Sequence, residues 1–141
     1  IVELMEQERT LAAEFERLEG ELYLAEQFTR VKVAMVEDRV NSKFPYARFR
    51  LFNPLVNGGL EEICEISTIE SGAAWGKGLN KTGRANAGLD IINTLSKHYN
   101  FYAPIFVDDR EGVFRLIDID TQLISLVAEK GVKELRTEVI K

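Results

Sequence analysis

Apolar residues at the start of the chain recur in steps of three and four. Ile1, Phe15 and Leu22 fall on one heptad line, Leu4, Leu11, Leu18 and Ala25 on a second, and Glu, Arg and Gln fill the outer positions. This pattern predicts one long helix over residues 1–44 with the two-stripe spacing of a coiled coil. Gly20 alone interrupts its stronger helix formers, at a cost of about 1 kcal/mol against alanine. Beyond Phe28 the apolar residues Val31, Val33, Met35, Val36 and Val40 become denser and more β-branched, so the helix is expected to meet a globular part there. A seam of this length cannot be buried by the helix alone. Its expected cover is an N-terminal coiled-coil strand or the same helix in a second copy. Alternatively, an ordinary amphipathic helix would pack on its own domain.

Phe44-Pro45 should end the helix, because the residue before proline is pushed out of the α region. Residues 48–52 and 61–69 alternate in polarity around Asn57-Gly58-Gly59, which predicts a β-hairpin with Glu62 and Glu65 facing solvent. Ser71-Gly72 closes its second strand. A helix is predicted over 84–96, with Leu89, Ile92 and Leu95 at helical spacing and small Ala85, Ala87 and Gly88 at its start. Residues 103–110 hold a short, unbroken apolar run, the pattern of a strand buried on both faces of a mainly parallel sheet. Then come a short helix or turn (111–117), a turn with Asx character (118–121), a second buried strand (122–127), a turn at Lys130-Gly131 and an alternating edge strand (133–140). The expected fold class is α/β, with α+β as the alternative. A coiled-coil helix over 1–44 leads into a small mixed-sheet lobe over 45–141.

Composition narrows the function classes. The 141 residues carry a formal net charge of -5 and a pI near 5.0, which argues against a surface coated with nucleic acid and leaves a local basic patch open. A single cysteine, Cys64, excludes an internal disulfide framework and fits a reducing cytoplasm. With His98 the only histidine, Cys64 reads as a small buried hydrophobe and not as a nucleophile. No apolar stretch approaches the roughly 20 residues that span a membrane, and the acidic first twenty residues lack the apolar core of a signal peptide. The start at Ile1 and not methionine points to a fragment of a longer protein or a trimmed chain.

Candidate chemistry gathers between Trp75 and Glu111. Asp108 and Asp109 should emerge at the carboxyl edge of a sheet, where open α/β sheets bind ligands. An acid there can hold Mg²⁺ directly or through water, and its neighbour can orient an attacking water; a solvated turn would look the same. Upstream, residues 76–84 form a glycine-rich, basic stretch ahead of a helix N-terminus, an arrangement that offers N–H groups to an anion. It lacks the G-x-x-x-x-G-K-[ST] spacing of a P-loop. Trp75 at its entrance reads as a lid on the core or as a stacking surface for a base or partner.

Taken in order, residues 79–95, then Ala103 to Asp109, then residues 122–126 resemble the C-terminal half of an ATPase head. The chain is similar to SMC-like recombination and repair ATPases of the SbcC type, most of all a phage and prophage branch in low-GC Gram-positive bacteria. The resemblance spans roughly residues 45–140 and includes the Asn57-Gly58-Gly59 turn with its following acids. It implies a coiled coil returning to a head lobe with a signature loop, a Walker B strand, a D-loop and a switch strand. By position, Asp108 matches the Walker B acid on Mg²⁺, and Asp109 stands where the family often has a glutamate base, one methylene longer. Leu79, Asn80, Lys81, Thr82, Gly83 and Arg84 match the signature loop, although the family's usual Ser-Gly-Gly-Glu is replaced. Lys81 and Arg84 would bring positive charge to the γ-phosphate of ATP held by an opposite head. No histidine stands near residues 122–129, where the switch residue would lie.

No Walker A sequence occurs in the chain, so it lacks the phosphate cradle and lysine and alone should not hydrolyse ATP. ATP and Mg²⁺ are expected only in a complete ATPase, joined to an N-terminal Walker A half or a second copy, with DNA reached through that assembly and no membrane partner. The competing class is a non-enzymatic adaptor that dimerises through residues 1–44. A metal-dependent nuclease built on Asp108, Asp109 and Glu111 is a third reading, and it needs a further acid or histidine cluster.

Overall fold

A computed structural model describes residues 1–56 and 58–139. Helix α1 (Val2–Asn41) takes up more than a quarter of the chain and has no buried residue. It ends three residues before Phe44, earlier than Phe44-Pro45 predicts, because Asn41 is drawn into the following strand. The Asn41 amide donates to Phe49 O at 2.8 Å and accepts from Phe49 N at 2.7 Å, pairing as a neighbouring strand would. Glu37 accepts from Leu51 N at 3.3 Å. Farther back, the Arg30 guanidinium stands by the hairpin turn, where a Cβ on Gly58 would lie 3.8 Å from it; residues 1–26 are all exposed.

Strands β1 (Ala47–Pro54) and β2 (Leu60–Thr68) form the expected hairpin, antiparallel, with Ala47 opposite Thr68 and an irregularity between Arg50 and Phe52. Leu55 N donates to Gly59 O across the turn; Asn57, the first residue of the expected turn signal, lies outside the described residues. Glu62 is exposed, whereas Glu65 is half-buried between Arg50 and Lys77. Cys64 is exposed. The expected burial fails because Cys64 falls on the outward side of a two-stranded ribbon that nothing covers.

Helix α2 (Lys81–Tyr99) begins three residues earlier than predicted. Asn80 caps it, accepting from Gly83 N at 2.7 Å, so Lys81, Thr82 and Gly83 form its first turn and not a loop. Asn100, in the left-handed region with φ 51°, closes the other end. Of the three apolar positions expected to face the core, Leu89 is buried, while Ile92 and Leu95 are more than two-fifths exposed.

The expected central strand is short. Strand β3 (Ile105–Val107) pairs in parallel with β4 (Leu123–Ser125) and with no other strand among the described residues. Ile105 is buried, but Phe106 is 65% exposed, so the strand is not covered on both faces. Leu126 and Val127, expected within the second buried strand, are exposed beyond its end. Residues 133–139 form no strand despite their alternation, since no strand among the described residues pairs with them; Ile140 lies outside the described residues. The arrangement is a mixed helix-and-strand one, consistent with α+β: one long helix and two small sheets. No helix among the described residues is long and apolar enough to cross a membrane.

The core is small: Ala47, Leu79, Ala87, Leu89, Ile105 and Val113. Side-chain clamps on backbone supplement it. The Asp90 carboxylate, 3% exposed, accepts from Tyr46 N at 2.9 Å and Ala47 N at 2.7 Å, tying the start of the hairpin to α2. Asn86 donates to Arg115 O at 2.9 Å and accepts from Ile117 N at 3.1 Å. Asn93 repeats this pairing on Asp118 O and Asp120 N, and Lys97 pairs with the Asp120 carboxylate at 2.8 Å. Residues 114–120 thus run along α2 on a ladder of side chains in place of a third strand.

Candidate functional site

The first turn of α2 and the end of β3 lie side by side, and the sequence-predicted site residues fall on both. Asp108 follows β3 directly and is exposed; one carboxylate oxygen accepts from Asp109 N at 2.8 Å. Asp109 takes up the left-handed region with φ 50°, a conformation that asparagine and aspartate tolerate better than other side chains. This turn starts the short 3-10 segment Arg110–Gly112 and swings the Asp109 carboxylate toward α2. There it meets the Lys81 ammonium at 2.9 Å.

That contact changes the expected role of Lys81. It faces Asp109 of its own lobe, on a pair roughly half exposed at both ends. An exposed pair of this kind contributes about 0–1 kcal/mol, so a phosphate could displace it. Lys81 also crosses over Gly112, where an added Cβ would lie 2.7 Å from its Nζ. Arg84 is exposed. Leu79 is buried, and Thr82 accepts from Phe114 N at 3.1 Å. Gly83 packs so tightly that a Cβ would fall 2.6 Å from Leu79 Cδ1. Leu79, Asn80, Thr82 and Gly83 therefore build the helix start, while Lys81 and Arg84 present charge.

Glu111 turns away from the two aspartates, with Ala128 N at 3.4 Å as its partner. No group of three or more His, Cys, Asp or Glu side chains suited to a metal occurs among the described residues, so the nuclease constellation is not assembled. The donor set suits Mg²⁺ only in the manner of nucleotide enzymes, where one or two carboxylates hold the ion and phosphates and water complete it. Asp108, with one oxygen uncommitted, is the residue that could hold it.

A cleft of about 660 Å³ opens beside the α2 N-terminus, lined by Asn80, Thr82, Asn86, Arg115, Tyr46 and Glu70 among others. The Glu70 carboxylate sets this side against anions. Burial, and next the negative charge of Glu70, raise the Tyr46 phenol above its ordinary value. Its hydroxyl reaches Glu70 at 3.3 Å. A raised pKa favours the neutral phenol in the fold, so this contribution to stability is full below the unfolded value of about 10. It is lost as pH rises through the higher folded value. Spectrophotometric titration should show one of the four tyrosines ionising late, and Tyr46→Phe should remove that step; an unaltered curve in the variant would refute the assignment.

Trp75, at the entrance to this region, stands over α2, where a Cβ on Gly88 would lie 3.8 Å from its ring. It covers the thinnest part of the helix while keeping 39% of its surface exposed. Apolar periodicity passes over Asp90, Asn86 and Asn93, the polar side chains that position all of this. Their only sequence signal is a polar stripe at 82, 86, 90, 93 and 97, on turns of α2 that a surface helix would fill at random.

Compared with known proteins, the chain matches no family model, no curated protein and no solved structure.

Proposed function

We propose that the chain is the C-terminal portion of an SMC-like ATPase of phage or prophage DNA recombination or repair, working in the cytoplasm. It would supply a signature-like helix start and a Walker B acid to a head whose Walker A lies on another segment. The observation that carries this reading is the two-stranded parallel sheet β3–β4. Parallel sheets occur almost only with both faces covered, and two strands alone are marginal in water. Here Phe106 stands exposed on the sheet, Val127 beyond its end, and Ile92 and Leu95 are part-exposed on α2. A neighbouring segment that added strands and covered these residues would complete a core and bring a phosphate cradle up to Asp108.

In that head, Asp108 would hold the Mg²⁺ of ATP, whose charge offsets that of the phosphates. Lys81, released from Asp109, and Arg84 would face anionic oxygens at the α2 N-terminus. Asp109 would then be free to orient a water, one methylene short of the reach that a glutamate has. The Lys81–Asp109 contact also supports a second reading, an adaptor that keeps the fold while its charged groups satisfy one another.

Mg²⁺-ATP binding and turnover decide between the two. The chain alone should show neither. Mixed with the Walker A-bearing segment encoded upstream, it should hydrolyse ATP, and Asp108→Ala should lower turnover by about a hundredfold or more. Absence of nucleotide binding in a mixture that forms a stable complex would leave the adaptor reading standing.

A further inference from the structure

Residues 1–28 hold eight glutamates and two arginines, a net charge of −6 in a chain whose total is -5. The acidity of this protein therefore sits on the projecting part of α1, and the rest is close to neutral. The charges are also sorted around the helix. On the heptad lines of Leu4, Leu11, Leu18 and Leu22, the positions flanking the seam carry Glu14, Glu19, Glu21 and Glu26; their other occupants are uncharged. Arg9, Arg17 and Arg30 all lie on the outer face. Arg17 reaches Glu21 at 2.7 Å and Glu14 at 3.9 Å on its own helix, with both partners exposed, which softens the acidic flank without reversing it.

The seam leucines are all more than half exposed, and a helix seated on them would meet these acidic flanks from Glu14 to Glu26. In a parallel pair of copies, Glu14 would face Glu19 and Glu21 would face Glu26, each contact occurring twice by symmetry. In an antiparallel pair the flanking rows face themselves, so again no acid meets a base. Glu8 adds a carboxylate within the seam itself. A parallel self-pairing sets like charges against one another along the flanks from Glu14 to Glu26, an antiparallel one offers them no base, and flanking charges are what select a coiled-coil partner.

We infer that the α1 seam is covered by a helix of different sequence, apolar along its own seam and rich in lysine or arginine at its flanks, and not by a second copy of this chain. The inference stands on the helix alone and is independent of the ATPase reading.

Two synthetic helical peptides of about four heptads test it. They share one apolar seam and carry lysine at the flanks in one case and glutamate in the other. By sedimentation the full chain should be monomeric. By calorimetry it should bind the lysine peptide at least about tenfold more tightly than the glutamate peptide. That preference should shrink when salt cuts the screening length from about 10 Å to about 3 Å. A Glu14→Gln, Glu19→Gln, Glu21→Gln, Glu26→Gln variant should lose the preference, with the fluorescence of Trp75 in the distant lobe unchanged. A chain that dimerises unaided, that binds both peptides alike, or that binds neither would overturn the inference.

Discussion

Asp90→Ala is expected to destabilise the lobe by about 3 kcal/mol, a large share of the 5–15 kcal/mol that holds a typical domain. The carboxylate is 3% exposed and accepts from two consecutive backbone N–H groups, those of Tyr46 and Ala47. Alanine removes the one oxygen, Oδ2, on which both bonds converge. Ala47 is fully buried, so its N–H would lose its partner with little access to water, and each such loss costs about 1–3 kcal/mol. Both N–H groups share Oδ2, so Asp90→Asn can keep both bonds through its one amide oxygen and should lose well under half as much. Because α1 dominates the helical signal, fluorescence of the single tryptophan, Trp75, is the suitable probe. Its melting midpoint should fall by roughly 12–24 °C in the alanine variant, at about 4–8 °C per kcal/mol for a lobe of this size. A midpoint equal to that of the parent chain would remove Asp90 from this role.

Asn86→Ala should release residues 114–120 from α2. The amide uses both its ends: it donates to Arg115 O and accepts from Ile117 N. Losing two partly buried bonds costs about 2 kcal/mol, equivalent to roughly thirtyfold faster exchange of the Ile117 amide if it opens locally. Asn86→Asp separates polarity from shape. The carboxylate could still accept from Ile117 N, but it would set negative charge against the Arg115 carbonyl, so it should protect Ile117 no better than alanine does. Hydrogen exchange that is unchanged at Ile117 in both variants would mean that Asn93, Lys97 and Thr82 suffice to hold the segment.

Parts of this architecture were legible in the sequence for physical reasons that can be named. The heptad spacing of Leu4, Leu11 and Leu18 predicts α1, and the alternation on either side of Gly58-Gly59 predicts the hairpin, because both are local patterns. The start of α2 was obscured by Lys81-Thr82-Gly83, which looks like a loop until Asn80 is recognised as the cap. The unbroken run before Asp108 signals full burial, yet only Ile105 attains it, because a strand is buried by its neighbours and β3 has one. The same holds for the alternating residues 133–139. At the candidate site, the acids and the basic helix start are visible as residue types. Their meeting through Lys81 and Asp109 depends on the left-handed turn at Asp109, which no spacing announces. Asp90 and Asn86 are the opposite case, polar side chains whose partners are backbone atoms distant in sequence.

The way α1 is rooted has a mechanical consequence. Asn41 and Glu37 bind its last turns to β1, and the forty-residue helix extends roughly 60 Å at 1.5 Å per residue. Residues 1–26, free of the lobe, account for roughly 40 Å of it, so a tilt of about 5° would carry the far tip through about 3–4 Å. The hairpin is thus the fulcrum of a lever, and small rearrangements of the lobe would be read out, magnified, at Leu4 and Leu11.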